Sequence, residues 1–283
     1  MASQREIRRR IGAVRNIKQI TRAMQFVSAS KLKRAQDATL AARPYSQKID
    51  EVLADLAAVL TGEDHPLLAA REGGRRLLVL ITTDRGLAGP LNTNTIRFAA
   101  REITASHEDL AVVTVGRKGR DAMRRSRVPL VAHFEGFGDR PSFADILPLA
   151  RLATDEFVGG GSNRVDLVYS HFESTLVQRP TLERLLPVEP TEDTEGIPGN
   201  QFIFEPSAGV VLEQMLPRYV ASRIFQAVLE AKASEESSRM VAMKNATENA
   251  EELIDDLTLS YNKVRQANIT REMIEIATGA QVR

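Results

Sequence analysis

The chain has 283 residues, of which 43% are hydrophobic and 27% are charged, and its formal net charge is +1. These values are typical of a globular protein with one large or two modest domains. The absence of cysteine excludes disulfides, thiolate metal ligands and a cysteine nucleophile.

The small net charge hides a strong segregation of charge along the chain. Ten basic residues and one acid lie between Arg5 and Arg34, whereas seven acids and two basic residues lie between Glu235 and Asp256. The first and last segments are therefore electrostatic complements. Such asymmetry also indicates contact with an acidic surface of another molecule.

Residues 3–43 are predicted to form a helix. Ser3 and Glu6 make a capping-box pattern at its start. An apolar stripe with three-and-four spacing follows, formed by Ile7, Ile11, Val14, Ile17 (or Lys18), Ile20 (or Thr21), Met24 and Val27. Pro44 is expected to kink or break this helix, and the helical pattern then resumes as far as Thr61-Gly62. Residues 1–62 are thus assigned to an N-terminal coiled-coil helix.

The middle of the chain alternates between aliphatic runs and helix-like stretches. Four strands are predicted, at residues 76–82, 110–115, 128–134 and 165–172, and three helices, at residues 90–106, 117–126 and 142–158. This alternation predicts a layered α/β (Rossmann-like) domain with a mostly parallel sheet over residues 74–190. An acidic loop and short connection, residues 191–206, follow the domain, and residues 201–205 are a further candidate for an extended segment.

The last segment, residues 207–283, is predicted to form a second long coiled-coil helix. No proline follows Pro217 and no glycine lies between Gly209 and Gly279, which leaves roughly 60 residues without a helix breaker, or about 90 Å of helix. Such a helix needs a partner along its length, and the N-terminal helix supplies one, most simply in antiparallel pairing. The expected seam is Leu216, Val220, Ile224, Ala227, Ala231, Ser234, Ser238, Val241 and Asn245, and then Leu253, Leu257, Ser260, Val264, Ala267, Arg271 and Ile274.

No motif in the sequence indicates bond chemistry. Gly116, Lys118 and Gly119 lie at a predicted strand-to-helix turn where an anion could bind, but neither phosphate-binding fingerprint is present. The four histidines are scattered without metal-ligand spacing. No catalytic residue, metal site or cofactor is therefore predicted. Two alternatives stay open: a coiled coil that binds nucleic acid through its basic helix, and a small α/β enzyme that uses the turn at Gly116–Gly119.

Four segments together resemble the γ subunit of F-type ATP synthases, over nearly the whole chain and in the same order. They are IKQITRAMQFVSASKLKRAQ near the N-terminus, TTDRGLAGPLN in the middle, and SSRMVAMKNATENAEELI and YNKVRQANITREMIEIATGA near the C-terminus. The resemblance implies an antiparallel coiled coil that enters a ring of α and β subunits, with an α/β domain at its base. It also implies a rotor without catalytic activity of its own, which couples proton-driven rotation of the c ring to the nucleotide sites of β. The expected partners are α, β, ε and the c ring, with one copy per complex, no nucleic acid and no cofactor. The expected location is peripheral, on the cytoplasmic side of a bacterial cell membrane.

The same resemblance implies roles for individual residues. Six positions match contacts that transmit torque to β: Met24, Arg239, Arg265, Gln266, Thr270 and Glu272. Three basic residues are expected to oppose an acidic lever of β: Lys31, Lys33 and Arg34.

Overall fold

The computed structural model describes residues 3–59, 65–71, 74–106, 108–189 and 204–281. Its helices are α1 (Gln4–Val59), α2 (Leu91–Ala105), α3 (Arg117–Arg125), α4 (Phe143–Val158) and α5 (Ala208–Gln281). Its strands are β1 (Arg75–Ile81), β2 (Leu110–Val115), β3 (Leu130–Phe134), β4 (Ser162–Phe172) and β5 (Gln178–Leu186).

The chain forms two compact units. The first unit contains the residues up to Ser28 together with those from Arg239 onward, and the second contains Ala29–Ser238. Helices α1 and α5 each contribute to both units, because each is a single helix that continues through the boundary. The four predicted domain ranges are a different division of the chain, and they stay a prediction.

The second unit is built on a five-stranded sheet of order β3-β2-β1-β4-β5. β1 pairs in parallel with β2 and β4, and β2 pairs in parallel with β3, whereas β5 is antiparallel to β4. The predicted mostly parallel α/β sheet is confirmed. All four predicted strands and all three predicted helices are present, with bounds that differ by no more than three residues.

Both faces of the sheet are buried, which explains the uninterrupted aliphatic run of β1. On one face, Leu77, Val79 and Ile81 pack in a cluster with α4 and with the parts of α1 and α5 that belong to this unit. On the other face, Leu78 and Leu80 pack against α2 and α3. The two long helices are therefore part of the principal core of this unit.

Strand β5 was not predicted. Its sequence, QRPTLERLL, contains a proline and three charged residues, and it lacks the aliphatic run that identified the other strands. Charged residues and proline are tolerated there because β5 lies at an edge of the sheet. For the candidate extended segment, residues 201–203 lie outside the described residues, and Phe204 and Glu205 do not form a strand.

The expected break at Pro44 was wrong. Helix α1 continues through Pro44, and α5 likewise continues through Pro217. Both prolines are exposed, and on each side of Pro44 the buried residues Ala35 and Ile49 hold the helix against its own unit. A proline removes one backbone hydrogen bond from a helix, and packing on both sides of that position offsets the loss.

The residues of α1 that face inward differ from the predicted apolar stripe at Ile17, Ile20 and Val27. Lys18 and Thr21 face inward, whereas Ile17 and Ile20 are 53% and 59% exposed. Val27 is also exposed, and the neighbouring Ser28 is buried in its place. The inward residues of α1 are therefore polar or small in this stretch, and the apolar ones face outward.

The predicted seam of α5 is correct in its first part and displaced in its last part. Leu216, Val220, Ile224, Ala227, Ser234 and Ser238 are all buried. Further along, Leu257 and Val264 are half-buried as expected, but Asn245, Leu253, Ser260, Ala267, Arg271 and Ile274 are exposed. Ile254, Thr258 and Tyr261 take their place on the inner side of the helix, because the polar contacts described below set the rotation of α5.

Candidate functional site

The first unit contains an antiparallel pair of helices that are joined by several polar contacts. Gln4 Nε2 donates a hydrogen bond to the Tyr261 hydroxyl at 3.0 Å, Lys18 Nζ lies 2.7 Å from Glu251 Oε1, and the hydroxyls of Thr21 and Thr247 are 2.7 Å apart. As the residue number rises along α1, the number of its partner on α5 falls, so the helices run in opposite directions. The predicted antiparallel coiled coil is confirmed.

The polar partners at these contacts lower the pKa of two acidic groups. A hydrogen bond from Lys18 lowers the pKa of the Glu251 carboxyl, and hydrogen bonds from Arg8 and Gln4 lower the pKa of the Tyr261 phenol. Glu251 is exposed and Tyr261 is only half-buried, so these contacts align the two helices more than they stabilise the fold.

An exposed apolar stripe runs along the outer side of α1. Ile17, Ile20 and Val27 are exposed, and the half-buried Met24 lies between Ile20 and Val27 with the same three-and-four spacing. Exposed apolar residues in one contiguous row are typical of a surface that meets another protein. Met24, predicted as a contact residue, lies within this outer stripe.

The end of α5 extends beyond the part that pairs with α1. The described part of α1 begins beside Tyr261, whereas α5 continues to Gln281, about 30 Å further along its axis. Residues 269–277 are all exposed, and Ile269, Met273 and Ile276 form an apolar row among them. The predicted contact residues Arg265, Gln266, Thr270 and Glu272 all lie on this segment and are exposed.

Arg239 differs from the other predicted contact residues. It lies at the beginning of the α5 segment of the first unit, and it is only 7% exposed. A side chain buried to this degree has little surface left to offer to another subunit. Its position favours a structural role within the chain, and the predicted contact to β stays a prediction that depends on the resemblance alone.

The three basic residues of α1 are in different environments. Lys31 Nζ is 2.8 Å from Asp139 Oδ2, and the hydrogen bond from Lys31 is the main cause of the lowered pKa of Asp139. Lys33 pairs with Asp37 on its own helix, and both are exposed. Arg34 is exposed and donates a long hydrogen bond, 3.4 Å, to the Ser30 carbonyl. Lys33 and Arg34 are accessible to an acidic partner, whereas Lys31 is engaged inside the chain.

The turn at the start of α3 is closed to anions. The N–H of Arg117 donates to Asp84 Oδ1, that of Lys118 to the Thr83 carbonyl, and that of Gly119 to Thr82 Oγ1, over distances of 3.1, 3.1 and 2.8 Å. A bound phosphate would need these same three donors. The turn therefore lacks the free N–H groups that the enzyme alternative requires.

Asp84 was not identified from the sequence as a residue that connects loops. It directly follows Thr82 and Thr83 at the end of β1 in the sequence. Its second oxygen, Oδ2, accepts a hydrogen bond from the N–H of Gly136 at 3.0 Å. One carboxylate thus joins the loops that follow β1, β2 and β3. An acidic residue at the end of a central strand, facing a helix N-terminus, was the available signal.

The described residues offer neither a metal centre nor a membrane span. No cluster of three potential metal ligands occurs among them. None of the helices in these described ranges is both long enough and apolar enough to cross a bilayer.

Comparison with known proteins identifies the family. A family model described as ATP synthase matches residues 3–282. The ATP synthase gamma chain of Roseiflexus castenholzii (strain DSM 13941 / HLO8) is 49% identical over 288 residues, which cover 99% of this chain and 98% of the relative. That of Pelotomaculum thermopropionicum (strain DSM 13744 / JCM 10971 / SI) is 44% identical over 280 residues, 99% of each chain. The chain belongs to the ATP synthase gamma-chain family.

The fold of the gamma chain is also found in solved rotors. A chain in the cryo-EM structure of the Euglena gracilis mitochondrial ATP synthase, in an assembly of OSCP, F1 and c-ring, matches with a TM-score of 0.69 at 20% identity. The match covers 99% of this gamma chain and 94% of that one. A second Euglena structure, of the rotor in rotational state 1, matches with a TM-score of 0.64.

The predicted role is thereby confirmed at the level of the family. This gamma chain is a central-stalk rotor subunit of ATP synthase, a membrane-associated complex, and it is not itself catalytic. The alternative of a coiled coil that binds nucleic acid is not supported. The charges of the basic helix are instead used in part for contacts within the chain, at Lys18 and Lys31.

Proposed function

We propose that this gamma chain turns as the central shaft inside a ring of α and β subunits, with ε and a c ring bound near its α/β domain. One copy serves each complex, which lies on the cytoplasmic side of a bacterial cell membrane and is driven by protons. The relatives from Roseiflexus and Pelotomaculum are named ATP synthase gamma chains, and one of the two Euglena assemblies contains F1 and the c-ring.

The end of α5 is the observation that carries this proposal. Residues 269–277 of the helix are all exposed, and they include an apolar row of Ile269, Met273 and Ile276. An apolar row does not stabilise a lone helix in water, whereas a surrounding ring of other subunits would bury it. A shaft also needs stiffness, which two long, paired helices supply.

We propose that torque passes to β through two sets of residues. The first set is on the tip of α5: Arg265, Gln266, Thr270 and Glu272. The second is on α1, where Met24 lies in the exposed apolar stripe and Lys33 and Arg34 present positive charge. Lys31 and Arg239 remain in the proposed set with a reduced role, because each is largely covered by its own chain.

The proposal is tested in a complete ATP synthase complex that contains this chain and is reconstituted in sealed membrane vesicles. Arg265→Ala and Gln266→Ala are expected to lower ATP hydrolysis or proton pumping while leaving the thermal unfolding of the isolated chain unchanged. Lys244→Ala is the matched control, since Lys244 is an exposed residue of the same helix, outside the predicted set. Unchanged hydrolysis and pumping in both variants would refute the assignment of these contacts. Failure of α, β and ε to co-purify with the tagged chain would refute the proposed assembly itself.

A further inference from the structure

Three serines of α5 make the contacts from which this inference starts. The hydroxyl of Ser234 donates to the carbonyl of Ser170, that of Ser237 to the carbonyl of Thr175, and that of Ser238 to the carbonyl of Ala88. The three distances are 2.9, 2.7 and 2.7 Å, and all three serines are buried. We call Ser234, Ser237 and Ser238 the docking serines.

The docking serines hold parts of the sheet domain at the carboxyl ends of β1 and β4. Ala88 is in the loop between β1 and α2, Ser170 is near the end of β4, and Thr175 is in the turn between β4 and β5. Ser237 Oγ also lies 3.4 Å from Gln178 Nε2, which in turn donates to the Thr175 carbonyl at 3.0 Å. Two turns of one helix are thus joined to three separate places on the domain.

An ion pair attaches a further loop of the same edge. Asp139 lies between β3 and α4, and its carboxylate is 2.8 Å from Lys31 Nζ on α1 and 3.9 Å from Lys232 Nζ on α5. Lys31 is only 19% exposed in this contact. Both long helices are therefore connected to the carboxyl edge of the sheet, close to the residues where they leave this unit, Ala29 and Ser238.

The kind of contact changes along α5 within the second unit. From Leu212 to Val228 the helix packs through apolar residues that belong to the principal core. From Ser234 to Ser238 the buried residues are instead polar or charged. Apolar packing opposes separation but has no preferred direction, whereas a hydrogen bond weakens steeply when its donor and acceptor are displaced sideways. Apolar packing alone would suffice to keep this part of the helix attached, so the hydrogen bonds add a preferred direction to the contact.

We propose that the docking serines and the Lys31–Asp139 pair are positioning residues that hold α1 and α5 against rotation relative to the sheet domain. They form a torsional clamp, through which torque passes between that domain and the helical pair. This role rests on the proposed rotary function, and the contacts that carry it all lie within this chain.

The test measures torsional stiffness in the assembled complex. The chain contains no cysteine, so Arg101→Cys, on the exposed side of α2, attaches a single optical probe to the sheet domain. With the head immobilised and stalled by a non-hydrolysable ATP analogue, the angular spread of the probe reports the stiffness between domain and shaft. The variant with Ser234→Ala, Ser237→Ala and Ser238→Ala is expected to increase the variance of the angle about two-fold or more, since each lost hydrogen bond weakens a directional contact.

Controls separate the clamp from folding and from the rotary function. Ser260→Ala removes an exposed serine of the same helix and is expected to leave the variance unchanged. If the triple variant does not assemble, Ser237→Ala and Asp139→Asn, which each change the contacts of one clamp residue, are measured in the same way and are expected to show a smaller increase. An unchanged variance in variants that assemble would overturn the clamp. A probe on the unmodified chain that does not turn when ATP is supplied would instead refute the proposed function.

Discussion

Gly116 offers a sharp test of the view that the turn after β2 is a closed structural junction. Its φ is +91°, and a Cβ atom added there would lie 2.2 Å from the Thr82 carbonyl oxygen. Gly116→Ala therefore adds backbone strain of about 1–3 kcal/mol and a steric conflict with the neighbouring strand end that costs about 1–3 kcal/mol more. We expect the free energy of unfolding to fall by about 2–6 kcal/mol in total.

Gly136 is the matched control for this substitution. Its φ is +82°, but an added Cβ would meet nothing within 4 Å, so Gly136→Ala adds the strain alone, about 1–3 kcal/mol. Both variants are measured by urea denaturation of the full chain, followed by circular dichroism, and the difference between them isolates the steric conflict. A Gly116→Ala variant that is no less stable than Gly136→Ala would refute the close packing of this turn.

The remaining predictions concern packing, charge and the excluded anion site. Leu216→Ala, at a fully buried position, should lower the free energy of unfolding by about 2–5 kcal/mol. Its control Leu253→Ala, at an exposed position, should change that free energy by less than about 0.5 kcal/mol. Equal losses of stability in denaturation experiments would contradict the observed seam. Burial raises the pKa of the Asp50 carboxyl above its ordinary 3.8, and the opposing effect of the nearby Arg223 is smaller. The contribution of Asp50 to stability is therefore greatest below pH 3.8 and is lost as the pH rises through the raised pKa. Asp50→Asn should therefore gain stability relative to the unmodified chain as the pH rises from below 3.8, and a relative loss in a pH series of denaturation curves would mean that the attraction to Arg223 dominates. Lys118→Ala should leave the free energy of unfolding within about 0.5 kcal/mol and the ATP hydrolysis of the reconstituted complex unchanged, and a loss of hydrolysis would restore the enzyme alternative.

The sheet domain and the pairing of the two terminal helices could be predicted because their signals are local. The run of β1 is aliphatic on both faces, and the last helix is free of breakers for too long a distance to stand alone. Strand β5 could not be predicted in this way, because its stability comes from pairing with β4 rather than from its own apolar residues.

The rotation of each long helix about its axis could not be obtained from apolar spacing. Ile17 and Ile20 fit a seam as well as Lys18 and Thr21 do, and the structure selects the polar pair because Thr21 meets Thr247 and Lys18 meets Glu251. Periodicity locates an apolar stripe but cannot distinguish a stripe that faces the partner helix from one that faces another subunit.

The serine-rich part of α5 shows the same limit. Ser234 and Ser238 were predicted as seam positions between the two long helices, but in the structure Ser234, Ser237 and Ser238 are buried against their own domain. Each hydroxyl bonds to a backbone carbonyl, and the position of such a carbonyl depends on the folded loops rather than on any sequence motif. The site residues on the α5 tip were found only through the resemblance to a family, since exposed side chains carry no local signal of what they contact.

Rotation itself is the most direct test of the account. A probe attached through Arg101→Cys in the otherwise unmodified chain, in a reconstituted complex with its head immobilised, should turn continuously in one direction when ATP is added and stop when ATP is removed. A complex that hydrolyses ATP while the probe shows only random fluctuation would contradict the assignment of this chain as the rotor.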